Sequence, residues 1–243
     1  MNQNVYNANA INITQGKTRR RRIPLDERML PDYTRGEEIF NMVTHIVGGG
    51  IGVLTLIACV LLSAIKGSAL GVVCGAVFGV SMITLYAMSS IYHGLHVGKA
   101  KKVLQVMDHC TIYFLIAGTY TPMLLCAMLE SAPIASILTF VAVWGLAALS
   151  ITLTAIDLEK YKVFSMISYI GMGWAILFSM KLMFEAIGPL SFSLLLFGGC
   201  LYTFGVLFYA VGKSKRYFHS IFHIFVVLGS VAHSACVIMC AML

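Results

Sequence analysis

Seven stretches of this chain are each apolar and close to the roughly 20 residues that a helix needs to cross a bilayer. They fall at about 39–63, 68–95, 106–128, 133–155, 163–181, 189–211 and 217–241. Little else constrains the fold as strongly. The expectation is an all-α, polytopic membrane protein with seven transmembrane helices occupying residues 37–243. Composition agrees, because 59% of the 243 residues are hydrophobic and only 11% are charged, against roughly 25% charged in a soluble domain. The fifth stretch, "VFSMISYIGMGWAILFSM", is the shortest. Glycines recur inside the spans ("VGGGIG", "GAVFG", "FGGCLYTFG"), where they let helix backbones approach closely. Pro122 in "GTYTPM" is expected to kink the third helix.

The formal net charge is +7, but its placement speaks for topology and against nucleic acid as a partner. With the N-terminus inside, 15 of the 17 lysines and arginines fall in inner segments, and only Lys66 and Lys181 fall outside. That asymmetry predicts a cytoplasmic N-terminus and an outer C-terminus, in a multi-pass protein of the plasma membrane. Residues 1–36, which contain "GKTRRRRIPLDER", read as a mobile basic cytoplasmic tail. The seven cysteines all lie in apolar runs without zinc-finger spacing, and read as small packing residues.

The orientation places scattered polar residues at one depth. His219 and His223 in "HSIFH" open the seventh helix just after Lys215 and Arg216. Four residues is close to one helical turn, so both imidazoles point the same way. His93 in "SSIYHGL" closes helix two, and Asp108 in "VMDHCT" opens helix three. Each lies roughly 9 Å from its flanking lysine, and His223 about 10 Å from Arg216. Ionisable groups in hydrocarbon face a bundle interior and pair with one another or with an ion. Alone, the histidine pair of helix seven also suits haem, a proton relay or interhelical hydrogen bonds. Three neutral imidazoles with an open fourth position form the ligand set of a catalytic zinc. Asp108 would then hold and deprotonate the water beside the metal. Ser89, one turn before His93, would hydrogen-bond that water or a substrate carbonyl.

The same residues spell a family pattern. "EIFNMVTH" carries Glu38, Asn41 and His45, "SSIYH" carries Ser89 and His93 ahead of Asp108, and "HSIFH" carries His219 and His223. In order and position this resembles the hemolysin III group of the progestin and adipoQ receptor family, and "DHCTIYFLIAGTYTP" resembles its bacterial branch. The resemblance spans residue 36 to the end. It implies seven helices, an inside N-terminus and a Zn²⁺ near the inner leaflet. The zinc-binding histidines would be His93, His219 and His223, with Asp108 acting through water and Ser89 beside them. The family is similar to alkaline ceramidases, so membrane lipids are the implied partners and a lipid amide or ester the implied substrate.

Glu38 and His45 lie two turns apart on one face of helix one. By the family pattern Glu38, Asn41 and His45 are expected to support the site from outside the ligands, His45 through a hydrogen bond, and Glu38 is also expected to cap the positive end of that helix. His109 points about 100° away from Asp108 on a helix, which favours Asp108 at the site. His96 reads as interfacial, and His233, about 15 Å deeper than His223, as a buried hydrogen-bonding residue. Tyr113, Tyr120, Tyr169 and Tyr202 are expected to pack and to bridge helices. Three functions are compatible with these residues: a zinc-dependent lipid hydrolase, a zinc-stabilised receptor or sensor, and a cytolytic pore. No ring of charge marks an ion filter, and the sequence leaves the oligomeric state open.

Overall fold

The computed structural model describes residues 27–212 and 215–242, so most of the expected tail and Lys213 lie outside the described residues. Every regular element among the described residues is helical. In chain order these are α1 (Arg35–Ile65), α2 (Ala69–Gly94), α3 (Lys99–Pro122), α4 (Pro133–Ile156), α5 (Lys162–Gly173), α6 (Met180–Val211) and α7 (Phe218–Val237). A π-helical turn, Met123–Met128, continues α3, and a second, Ile238–Met242, continues α7. The α3 helix begins seven residues before the expected 106, because "KAKKVLQ" is polar yet helix-forming. Pro122 sits where α3 gives way to the wider π turn. Its ring has no N–H to give the Gly118 carbonyl one turn earlier, and within the π turn Ser136 of α4 donates to the Leu124 carbonyl at 2.6 Å.

Six helical stretches are long and apolar enough to cross a membrane. The sequence reading has seven because its fifth and sixth helices run into one stretch of 50 residues, Lys162–Val211. That stretch is not straight. Gly188 adopts φ 74°, ψ 171° ahead of Pro189, a conformation open to glycine and foreign to other residues. Beyond it the chain doubles back, since Trp174 Nε1 donates to Thr203 Oγ1 at 3.0 Å. Along an unbroken helix those two residues would stand roughly 43 Å apart.

The helices pack mainly through small residues. Gly79 of α2 lies so close to α1 that a Cβ there would come within 2.6 Å of Leu56 Cα. Tyr86, Tyr113, Phe78, Met82 and Met123 fill the interior, while Leu54, Ile57, Leu61, Ile134, Leu138 and Phe204 lie exposed. An apolar exterior of this extent suits lipid and not water.

The start of α1 also sets the level of α7. Thr34 and Glu37 form a reciprocal capping box, which satisfies two amides that the first turn leaves free. Glu37 Oε1 then accepts the Tyr217 N–H at 2.6 Å, and Arg216 donates to Glu37 Oε2 at 3.4 Å. Tyr217 holds φ 61°, a left-handed conformation that costs a bulky residue on the order of 1 kcal/mol or more. Its bond to Glu37 fixes that turn, and α7 begins at the next residue.

Candidate metal centre

His93 occupies the last turn of α2, and His219 and His223 occupy the first two turns of α7. All three are buried. One ligand nitrogen from each lies within 4.8 Å of the others, and the Nε2 atoms of His219 and His223 are 3.1 Å apart. Metal–nitrogen bonds of roughly 2.0–2.1 Å in a tetrahedral set put ligand nitrogens about 3.3 Å apart. The donor set therefore suits a divalent ion after small movements. His93 Nε2 is buried without a hydrogen-bond partner, as expected of an atom whose partner is an ion. The depth matching argued from the sequence thus brings these three residues together.

The other nitrogen of His93 is held from α1. Glu38 Oε2 lies 2.6 Å from His93 Nδ1, and its Oε1 accepts from Lys101 Nζ at 2.7 Å. The expectation that Glu38 caps α1 is corrected here. Glu37 performs that task, because only the third residue of the helix can reach back to the Thr34 amide. Lys101, counted from sequence as an inner-surface charge, is only 3% exposed. His45 meets the site by stacking on His223, with ring centroids 3.8 Å apart. Neither of its ring nitrogens has a hydrogen-bond partner among the described residues, so the expected hydrogen bond is replaced by ring contact. Asn41 is fully buried on the same face of α1.

Asp108, Ser89, His45, His219 and His223 all line a cavity of about 170 Å³. The remainder of its lining is mostly apolar, and includes Leu115, Met123, Ile176 and Met183. Along α3 and into the π turn after it, the lining runs from Asp108 to Met123, fifteen residues or roughly 22 Å. His109 lines it too, with its ring nitrogens turned to partners outside the histidine cluster. Its Nδ1 lies 2.8 Å from the Gln105 carbonyl and its Nε2 3.4 Å from the Tyr209 hydroxyl. His233 contacts the Leu195 carbonyl at 3.1 Å, and His96 is exposed. The four tyrosines bridge helices as expected. Tyr113 meets Thr154, Tyr120 donates to the Gly173 carbonyl, Tyr169 donates to the His109 carbonyl, and Tyr202 meets Ser230.

Sequence reasoning missed Tyr33, which falls in the segment assigned to the tail. Its ring stacks on His219 at 4.9 Å with 15° between planes, and lies 5.8 Å from His93. Burial, followed by the neighbouring Tyr209, Glu38 and Asp108, raises the Tyr33 phenol well above its ordinary pKa, so the ring is neutral over the histidines. Arg216 fixes this approach by binding the carbonyl and the carboxylate of Asp32. An aromatic residue immediately before a capping threonine was the available signal.

The profile of the family described as "Haemolysin-III related" matches residues 33–234, which covers every residue of the site. The chain is 37% identical over 209 residues to "Hemolysin-3 homolog" of Bacillus subtilis (strain 168), covering 85% of this chain and 95% of that one. It is 37% identical over 202 residues to "Hemolysin-3" of Bacillus cereus, with 83% and 90% covered. It is also 27% identical over 219 residues to the human "Monocyte to macrophage differentiation factor", with 87% of each chain covered.

Proposed function

The chain belongs to the haemolysin-III-related family, and from that premise we propose that this multi-pass membrane protein is a zinc-dependent hydrolase of lipid amides or esters. One observation carries the reading: an apolar cavity long enough for an acyl chain is lined by two of the three clustered histidines together with Asp108 and Ser89. His93, His219 and His223 would hold the ion, which when bound supplies Lewis acidity to a carbonyl and acidifies neighbouring water. The chain's own groups then divide the work. The cavity takes the acyl chain and keeps bulk water away from the reacting carbonyl. Asp108 accepts a proton from the attacking water, and returns it to the amine or alcohol that leaves as the carbonyl–heteroatom bond breaks. The Ser89 hydroxyl donates to the carbonyl oxygen as that oxygen gains negative charge. Asn41 and His45 pack behind His223 and Glu38 binds His93, so that the imidazoles hold their orientation.

We place seven crossings in the plasma membrane, with the N-terminus inside. Lys162–Val211 would supply two of them, reversing at Gly188. A straight helix of 50 residues would measure roughly 75 Å, more than twice the hydrocarbon thickness. The bias of lysine and arginine supports this orientation, which puts the histidines near the cytoplasmic face.

The name of the Bacillus cereus relative supports lysis as a second reading. The two readings separate in one assay. Purified protein incubated with ceramides, other N-acyl lipids and acyl esters should release fatty acid, and a His93→Ala control should not. No release above that control across the panel overturns the hydrolase. Vesicle leakage that survives His93→Ala would favour a pore.

A further inference from the structure

We infer that Lys101 is a positioning residue for the metal centre, acting through Glu38 on His93. The inference rests on the metal-site reading given above and deepens it. Lys101 stands in the first turn of α3, and nothing in the ligand pattern of the chain calls for it. A fully enclosed ammonium is costly inside a helix bundle unless it is paired and hydrogen-bonded. Lys101 is both. Its Nζ donates to Glu38 Oε1 at 2.7 Å and to the Leu95 carbonyl at 2.9 Å, and it lies 5.1 Å from the centre of the Tyr92 ring.

These contacts give the ammonium a fixed place, and the carboxylate inherits it. A glutamate held by one oxygen can swing about its last side-chain bonds. With Oε1 tied to Lys101, Oε2 is left directed at His93 Nδ1, 2.6 Å away. That bond sets the rotation of the imidazole and keeps the Nδ1 hydrogen on the carboxylate side. The lone pair is then on Nε2, the buried nitrogen that has no hydrogen-bond partner among the described residues, on a residue of the three-histidine cluster. Three helices take part, with Glu38 from α1, His93 from α2 and Lys101 from α3. One ligand is therefore oriented by the meeting of three helices and not by its own helix alone. A purely structural role, closing the α2–α3 turn through Leu95, would make no use of the Glu38 link.

The test is a double-mutant cycle on the full chain in detergent or nanodiscs, read by Zn²⁺ affinity in chelator competition and by the absorption of bound Co²⁺. Lys101→Met should weaken Zn²⁺ binding by about 10–100-fold and shift the Co²⁺ bands, as should Glu38→Gln. The double variant should bind no more weakly than Glu38→Gln, because Lys101 acts only through that carboxylate. Wild-type affinity in Lys101→Met, or losses that multiply in the double variant, would overturn the inference. If Lys101→Met does not fold, Lys101→Arg and Glu38→Asp run the same cycle, since each keeps its charge and alters its reach. A wild-type chain that binds no metal overturns the metal site itself. A chain that binds metal but cleaves no lipid overturns the hydrolase and leaves the role of Lys101 standing.

Discussion

The Nε2 atoms of His219 and His223 stand 3.1 Å apart, one helical turn removed on α7. That separation serves equally for a hydrogen bond and for a shared ion, and the metal content of purified protein distinguishes them. The wild type should carry about one equivalent of zinc. His219→Ala should lose it, with affinity down by more than about 100-fold, beyond the effect expected of an outer partner. Full zinc occupancy in His219→Ala would assign the pair to hydrogen bonding.

Asp108 and Ser89 should separate binding from chemistry. Asp108→Asn and Ser89→Ala are expected to keep the metal while turnover falls, for Ser89→Ala by about 10²-fold, the usual effect of removing one oxyanion donor. Metal analysis beside steady-state kinetics checks this. Loss of metal in Ser89→Ala would move that residue from the reaction to the support of His93.

Cavity length should set chain preference. Met123, at the start of the π turn after α3, is buried and lines the cavity fifteen residues on from Asp108. Met123→Trp should lower turnover of the longest acyl substrates on the order of tenfold relative to short ones, since a lost fit of a methylene or two is worth about 1–3 kcal/mol. An unchanged ratio would mean that the acyl chain lies elsewhere.

Two glycines of the bundle should respond oppositely to enlargement. A Cβ on Gly79 would meet Leu56 Cβ at 2.5 Å, whereas one on Gly50 would meet nothing within 4 Å. Gly79→Ala should destabilise by roughly 1–3 kcal/mol through overpacking. Gly50→Ala should stabilise by up to about 1 kcal/mol through helix propensity. Thermal unfolding of the two variants in one detergent checks the pair.

The reversal at Gly188 bears on topology. If Lys162–Val211 crosses twice, a reporter fused to the C-terminus reads as outside and one fused to the N-terminus as inside. Equal accessibility of both ends would restore six crossings.

How far the chain could be read from its residues depended on the range of the interaction. Apolar runs and the depth of polar residues are local properties, and they located most helices within a few residues and grouped His93 with His219 and His223. The reversal at Gly188 inside α6 was legible only in part, because "GP" inside an apolar run ends a helix or bends it, and only the partner of Trp174 decides. Glu37 and Glu38 are adjacent acids at one helix start. That Glu37 caps is local, set by its place three residues after Thr34, but that Glu38 reaches His93 follows from the packing of α1 against α2, a tertiary fact. Lys101 looked like one more surface charge because sequence shows a charge and not what encloses it. Tyr33 was overlooked for a similar reason, since the polar residues around it resemble an unstructured arm.

The division of the three imidazoles between α2 and α7 has a consequence for biogenesis. His93 is synthesised 126 residues before His219, so the growing chain holds one of the three imidazoles long before the other two exist. No truncated product that stops before Phe218 can complete the triad. Capture of an ion would therefore mark the last stage of assembly, and would distinguish a finished chain from an abandoned one.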